Sequence, residues 1–489
     1  MTSLVCPPAT LRVLDTELNP MCSIATKKRI LVLGGGFAGV ATARRLERLL
    51  RRRPDVEIVL VSRDNFVIMT PLLFEVFSGV LDLRSCSVPI RGFLRSARFV
   101  EATVRSIDFD QRVVLLSSAG KAGELAYDQL VIALGSKTNR EIIRGSQHAF
   151  TFKALADALL LRNHVIERFE RADVETDPKC KSQLLRFVII GGGLVGVELL
   201  GEVTAFVDGI VPLYKHVDRD EVRFVLLQAV DRVMPEIDPT LATYGYKVLA
   251  ARRGVEFRTN TRVRAIEPCM VHLANETIAA DTIILAAGVA PNPMLAGLPV
   301  LKDKRGCIVV EPTMRWPGHA EVWALGDCAS IPGPDGKPYP PLAQHALRQA
   351  KVLAENIHRV LTGEPPQPYV HESLGMMGSL GHYMGFAQFL KLRMRGFPAW
   401  FIRRTYYLLQ MPGWSRRLRM MIDWTFGLLF RPDIVKVGLD SETALLLREL
   451  TLGDEATGLS EEGRAGTESA IVGSPLGRAP AETTSLAVP

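Results

Sequence analysis

The sequence predicts an α/β protein with two doubly wound nucleotide-type units and an amphipathic C-terminal region, and three observations carry that reading. An apolar run enters a glycine cluster and then a helical pattern at RILVLGGGFAGVA (residues 29–41), and the same order returns at RFVIIGGGLVGVE (186–198). Further apolar runs that end in small residues follow, at LVIALGS (130–136), TIILAAG (282–288) and EVWALGD (321–327), as buried parallel strands do. Residues 391–431 then combine nine Lys/Arg with nine aromatics and a single acid, Asp423.

The elements follow in order. Residues 1–27 read as a loose leader. RILVL (29–33) is a buried strand. Val40, Ala43, Leu46 and Leu50 recur at helical spacing after the glycines, and that helix stops before Pro54. VEIVLVS (56–62) is the next strand, completing a βαβ unit. The second copy gives strand RFVII, a helix from about Val195 and strand VRFVLLQA. The expected domains are 28–150 and 289–390 as two parts of one nucleotide unit, 151–288 as the other, 391–450 as the C-terminal region and 451–489 as a polar, disordered tail.

Composition narrows the function classes. The 489 residues are 47% hydrophobic, enough for two or three cored domains. A formal charge of +7 suits an anionic membrane surface or nucleic acid without choosing between them. The seven cysteines form no C-x-x-C pair and no metal-ligand cluster, so no metal site and no dithiol relay is expected. The first twenty residues lack the basic and apolar segments of a secretory signal, and no apolar run is long enough to span a membrane as a helix.

Both glycine clusters read G-x-G-x-x-G: Gly34, Gly36, Gly39, and Gly191, Gly193, Gly196. The first glycine makes a tight turn, the second lets a pyrophosphate approach, and the third lets helix pack on strand. The helix N-terminus then offers free N–H groups and a positive dipole end. Neither copy ends its second strand in the acid that usually bonds a ribose hydroxyl; Ser62 and Gln228 stand there instead. Without a carboxylate at Gln228 a 2′-phosphate is not repelled, and Arg232 and Arg223 lie close in sequence, so NADH and NADPH both stay open.

GGGFAG, NFVIMTPLLFEV, VIALGS, GGGLVGVELLGE, ILAAGVAPNP, VWALGDCASIP and LAQHALRQAKVLAENI run in an order that resembles the type II NADH dehydrogenases, single-chain NADH:quinone oxidoreductases, over roughly residues 28–440. The resemblance implies FAD on the first motif (Gly34, Gly36, Gly39, with Ser62, Gly135, Gly326 and Asp327) and NAD(P)H on the second (Gly191, Gly193, Gly196, with Gln228 and Gly288). Glu198 would lie near the nicotinamide end. The other reading of Glu198 and Glu202, one helical turn apart, is a solvated face. Cys328, without a partner cysteine, reads as structural.

The resemblance also implies that Gln344 and a second glutamine four positions on frame a quinone. Here that position is Arg348, followed by Gln349. Arg348 either bonds a quinone oxygen or marks a different acceptor; a plain surface arginine is the third reading. The helix that holds them has Ala346, Leu347, Ala350 and Leu353 at helical spacing.

In 391–431, Leu418, Met421, Ile422, Thr425, Phe426 and Leu429 share one helical face, with Arg417 and Arg419 off it. Basic residues beside an aromatic stripe suit a helix lying in a lipid interface. A packed helix, a dimer seam and a nucleic-acid stripe are the other readings, the last without any recognised module. The expectation is a peripheral enzyme on the cytoplasmic face of the cell membrane, passing electrons from NAD(P)H through FAD to quinone without proton pumping. Lipid is the expected partner, nucleic acid is not, and the resemblance adds a homodimer. The rivals are a sulfide:quinone reductase and a flavin-bearing redox sensor or scaffold.

Overall fold

In the computed structural model, residues 27–372, 375–381, 383–430 and 434–436 are described. The expected leader, except Lys27, and the expected tail lie outside them, as does nearly all of 431–450.

A six-stranded sheet is built around Lys28–Leu33, which pairs in parallel with Val56–Ser62 on one side and Gln129–Ile132 on the other. Ile30 to Leu33 are fully buried, because helix packing covers both faces of a parallel sheet and leaves no polar side. Arg98–Glu101 extends one edge, and His319–Ala324 joins beyond Gln129–Ile132 with Arg315–Trp316 antiparallel at the rim. The strand at His319 arrives almost two hundred residues after its neighbour. Between them the chain builds a second, wholly parallel sheet of Val255–Arg258, Arg223–Leu227, Arg186–Ile190 and Thr282–Leu285. Short strands Ser136–Thr138 and Val289–Pro291 pair antiparallel where the chain leaves and returns.

The predicted fold class is what the structure has. The strand at 56–62 and that at 186–190 match the apolar runs residue for residue. LVIALGS and TIILAAG are strands only in their first part, because the small residues after Ile132 and Leu285 turn over the C-terminal edge of the sheet. The helices Phe37–Leu49 and Leu194–Ile210 begin immediately after the glycines. Leu347, expected on the apolar side of Ala343–Thr362, is 36% exposed; Ala346, Ala350 and Leu353 are buried as expected, with Ala354 and Ile357.

A three-stranded antiparallel hairpin, Met377–Ser379, Gly385–Phe389 and Leu392–Arg395, precedes two helices, Phe397–Gln410 and Trp414–Leu429. The hairpin presses on helix Leu194–Ile210 with almost no side-chain spacer. A Cβ on Gly201 would stand 2.5 Å from the Leu380 carbonyl carbon. Arg252 clasps the seam, donating to the carbonyls of Gly201 (2.8 Å) and Leu380 (2.6 Å). Gly201→Ala forces backbone apart here, so we expect a loss of about 1–3 kcal/mol in chemical denaturation. Unchanged stability would show that this approach is not tight.

Candidate active site

At the first glycine turn, Gly34 has φ +110° and its Cβ position is filled by the Ala133 carbonyl. A Cβ on Gly39 would fall on the Gly34 carbonyl oxygen, so the helix can start this close to the strand only with glycine there. Gly36, by contrast, faces open space. That opening at a helix N-terminus is what an FAD pyrophosphate requires. Ser62 closes its strand beneath Gly35, nearly buried. On the opposite rim the Gly326 N–H donates to Gln349 Oε1 (2.9 Å). Ser136 donates to Asp327 Oδ2 (2.6 Å) and accepts from Lys153 Nζ (2.5 Å). Burial lowers the Lys153 pKa, and Asp327 opposes that shift. Gly135 and Gly326 both have positive φ. These residues fit FAD: an open cradle at a helix start, a serine ending the neighbouring strand, and an acid and an amine joined through Ser136. Lys153 carried no motif in the sequence; its pairing with Asp327 through Ser136 exists only in three dimensions.

The second turn repeats the backbone. Gly191 has φ +108°, and a Cβ on Gly196 would fall on the Gly191 carbonyl oxygen. Gln228 follows strand Arg223–Leu227 but its amide braces the turn: Oε1 accepts from Gly192 N (3.0 Å) and Nε2 donates to the Arg232 carbonyl (3.2 Å). Arg223 begins that strand, at the edge opposite to where parallel sheets take ligands, so it is removed from the 2′-phosphate question. Glu236 was not singled out in the sequence. Its Oε1 accepts from Leu194 N at 2.5 Å, so a carboxylate of the chain itself occupies the N–H that a pyrophosphate would use. Gly288, at φ +81°, turns with open space beside it after Thr282–Leu285.

Glu198 and Glu202 are buried, which overturns the solvated-face reading. They belong to a cluster with Glu75 and with Arg403 and Arg404 of the helix Phe397–Gln410. Arg403 Nη2 lies 3.1 Å from Glu198 Oε1 and donates to the Pro71 carbonyl (2.7 Å); its Nη1 lies 3.6 Å from Glu75 Oε1. Arg404 Nη2 is 3.4 Å from Glu75 Oε2, which also accepts from Trp424 Nε1 (2.5 Å). Ser379 donates its N–H to Glu198 (2.8 Å) and its hydroxyl to Glu202 (3.2 Å). Burial raises the pKa of Glu198, against the pull of Arg403. Burial and the neighbouring Glu75 push Glu202 up to about 7.

Gln344 and Arg348 are half-buried at the start of helix Ala343–Thr362, with Arg348 Nη1 donating to the Gln344 carbonyl (2.9 Å). No hydrogen bond or ion pair joins them to the Glu198 cluster among the described residues. Gln349, one position on, turns inward to Gly326. His345 Nδ1 lies 3.2 Å from the Tyr369 hydroxyl, and burial lowers its pKa to about 4, so it is neutral at pH 7.

Residues 28–350 match the family described as Pyridine nucleotide-disulphide oxidoreductase. The chain belongs to this family. It is 29% identical to a probable NADH dehydrogenase of Dictyostelium discoideum over 426 residues, which cover 84% of this chain and 92% of that one. It is 26% identical to the type II NADH:quinone oxidoreductase Ndh of Mycobacterium tuberculosis over 438 residues, 85% and 91% of the two chains. The structure of NDH2 from Plasmodium falciparum in complex with NADH shares the fold at a TM-score of 0.76 and 19% identity, covering 84% of this chain and all of that one.

The family is named for a disulphide, yet the described cysteines Cys86, Cys180, Cys269, Cys307 and Cys328 are all unpaired. Cys180 is exposed on the helix Pro178–Leu184. Burial pushes Cys328 to about 12 and Cys307 to about 11, so both stay protonated and unreactive at neutral pH.

Two outcomes follow from the charges. Glu236→Ala removes a negative charge from the second helix N-terminus, so NADH should bind about two- to fivefold more tightly, on ~0.3–1 kcal/mol for such a charge; weaker binding in a fluorescence titration would show that Glu236 instead assists the dinucleotide. Glu202, with its folded pKa raised above the ordinary carboxyl value, contributes stability at low pH that is lost as pH rises through about 7. The melting temperature of Glu202→Gln should therefore fall less than that of the wild type between pH of about 5 and about 8; parallel curves would exclude Glu202 as the source.

Proposed function

We propose that this chain is an FAD-dependent NADH:quinone oxidoreductase that pumps no protons and works on a membrane surface. The observation that carries it is the pairing of two dinucleotide turns in one family fold with a buried ionic cluster that ties the second turn's helix to an exposed apolar helix pair. The names of the relatives, an NADH dehydrogenase and a type II NADH:quinone oxidoreductase, support the donor and the acceptor.

Residues 28–150 and 289–390 hold FAD through Gly34, Gly36 and Gly39, with Ser62, Gly135, Gly326 and Asp327 around it. FAD, when bound, supplies a hydride acceptor that can pass its electrons on to a quinone. Residues 151–288 take NADH, for which the Glu236 carboxylate must leave the Leu194 N–H. Glu198 is held in place by Arg403 and Ser379, and Glu202 beside it keeps a proton near neutral pH. Gln344 and Arg348 face the acceptor, with Arg348 fixed to the Gln344 carbonyl so that its remaining guanidinium N–H groups can meet a quinone oxygen.

The membrane reading rests on the C-terminal helices. The apolar stripe of Trp414–Leu429 faces outward: Leu418, Met421, Ile422, Phe426 and Leu429 are all exposed, while Met420 and Trp424 pack inward. Phe397, Phe401, Ile402 and Leu409 extend the exposure along Phe397–Gln410. Water-facing patches of this kind mark interaction sites, and a quinone dissolves in lipid. No helix among the described residues is long and apolar enough to cross a membrane. Of the basic residues that the sequence sets beside the aromatic stripe, Arg403 is spent on the buried cluster.

Stopped-flow mixing tests the activity. NADH should bleach the bound flavin, and a soluble short-chain quinone should restore its absorbance within the turnover time; no bleaching with NADH or NADPH would refute the proposal. Replacing Phe426 and Leu429 with glutamate should release the protein from lipid vesicles without lowering turnover of the soluble quinone. A variant that stays bound would place the contact elsewhere.

A further inference from the structure

Three arginines follow closely at the start of the last helix, and they do not behave alike. Arg417 turns back to the preceding helix, donating through Nε to the Met411 carbonyl (2.7 Å) and through Nη2 to that of Leu409 (2.8 Å). Arg416 and Arg419 instead line a cavity of about 330 Å3 together with Ser415, Arg84, Ser87 and Pro89. The opposite wall is the turn Leu83–Cys86, pinned to the last helix by the Ser85 hydroxyl, which donates to Asp423 Oδ2 (3.0 Å). Asp82 partly offsets the charge: it accepts from the Arg84 N–H (2.8 Å) and from Arg84 Nε (3.0 Å) and feels Arg419. Asp82 and Asp423 against three guanidinium groups still leave the surroundings of the cavity net positive, and Arg416 and Arg419 have no ion pair among the described residues.

The neighbours of the cavity decide what kind of anion it suits. Trp414, 73% exposed, and Leu418, 47% exposed, lie on the same turns of the helix as Ser415, Arg416 and Arg419 but on its outward apolar side, next to the face that lines the cavity. A ligand seated here has guanidinium groups around its anionic part and lies on a helix whose adjoining face is apolar. A phospholipid suits that arrangement, with a phosphodiester for the arginines and acyl chains for the adjoining apolar face. Guanidinium forks also match phosphate oxygens in geometry, which a diffuse positive surface does not.

We propose that the cavity between Arg84, Arg416 and Arg419 is a binding site for the phosphate headgroup of an anionic phospholipid. It fixes the depth and rotation of the last helix at the bilayer, in addition to the apolar stripe. The proposal rests on the membrane reading above.

Vesicle flotation of the full-length, FAD-loaded protein separates the two. Vesicles of phosphatidylcholine are compared with vesicles in which part of it is replaced by phosphatidylglycerol. The wild type should prefer the anionic vesicles by at least about tenfold. Arg416→Lys with Arg419→Lys keeps the charge but loses the fork, and should give up most of that preference; Arg416→Gln with Arg419→Gln should lose all of it. Binding to neutral vesicles and turnover of a soluble quinone should be the same for all three. A lysine pair that keeps the full preference would overturn the site in favour of diffuse attraction. Equal binding of the wild type to both vesicles would overturn the site and leave the membrane reading standing. No binding to either would overturn both. Inorganic phosphate supplies the last arm: a rise in melting temperature for the wild type but not the glutamine pair, without vesicle preference, would assign the cavity to free phosphate and overturn the lipid.

Discussion

The structure turns on one buried arginine. Arg403 is 2% exposed and touches two carboxylates from segments far apart in the chain, Glu75 and Glu198. Taking charges out of water costs several kcal/mol per ion, so such a cluster persists only where geometry and hydrogen bonding compensate. Here Ser379, Trp424 and the Pro71 carbonyl supply the bonds. Because Arg403 points inward, Phe401 and Ile402, its neighbours on the same helix, point outward. Trp424 does the same for the last helix by reaching Glu75. The exposed apolar surface is therefore the reverse side of the ionic cluster.

The two nucleotide turns have nearly the same backbone and differ in how they are filled. Gly36 opens onto empty space, as suits a group that stays bound. The corresponding helix of the second unit is capped by Glu236, as suits a site that is taken and vacated. The helix that starts there carries Glu198 and Glu202 to the cluster, so the second glycine turn and the contact with the C-terminal helices share one element. Arg252 and the tight contact at Gly201 hold that element against the C-terminal hairpin.

The fold was legible because buried parallel strands are apolar on both faces and glycine turns recur at fixed spacing. Strands at 56–62 and 186–190 could be read to the residue for that reason. The site was legible only as far as its backbone motifs. For Glu198 and Glu202 a solvated face stayed open beside the nucleotide reading, since an i, i+4 spacing says nothing of what covers that face. Arg403, Arg416 and Arg417 are one residue type in one stretch, yet they go to a buried ion pair, a cavity and a helix end. The first two fates depend on Glu75 and the turn at Leu83–Cys86, more than three hundred residues away. Likewise the amphipathic pattern located the apolar stripe but not its direction; Met420 and Trp424, off the stripe, proved to be the packed side.

The central claim is that the Arg403–Glu198 pair couples the C-terminal helices to the second nucleotide unit. A double-mutant cycle of Arg403→Met and Glu198→Gln, read by chemical denaturation and by amide exchange in residues 397–429, tests it most directly. Each single change should cost about 3–5 kcal/mol and expose those helices to exchange, and the double change should recover much of the loss. Additive losses, or full protection of residues 397–429 in both single variants, would contradict the account.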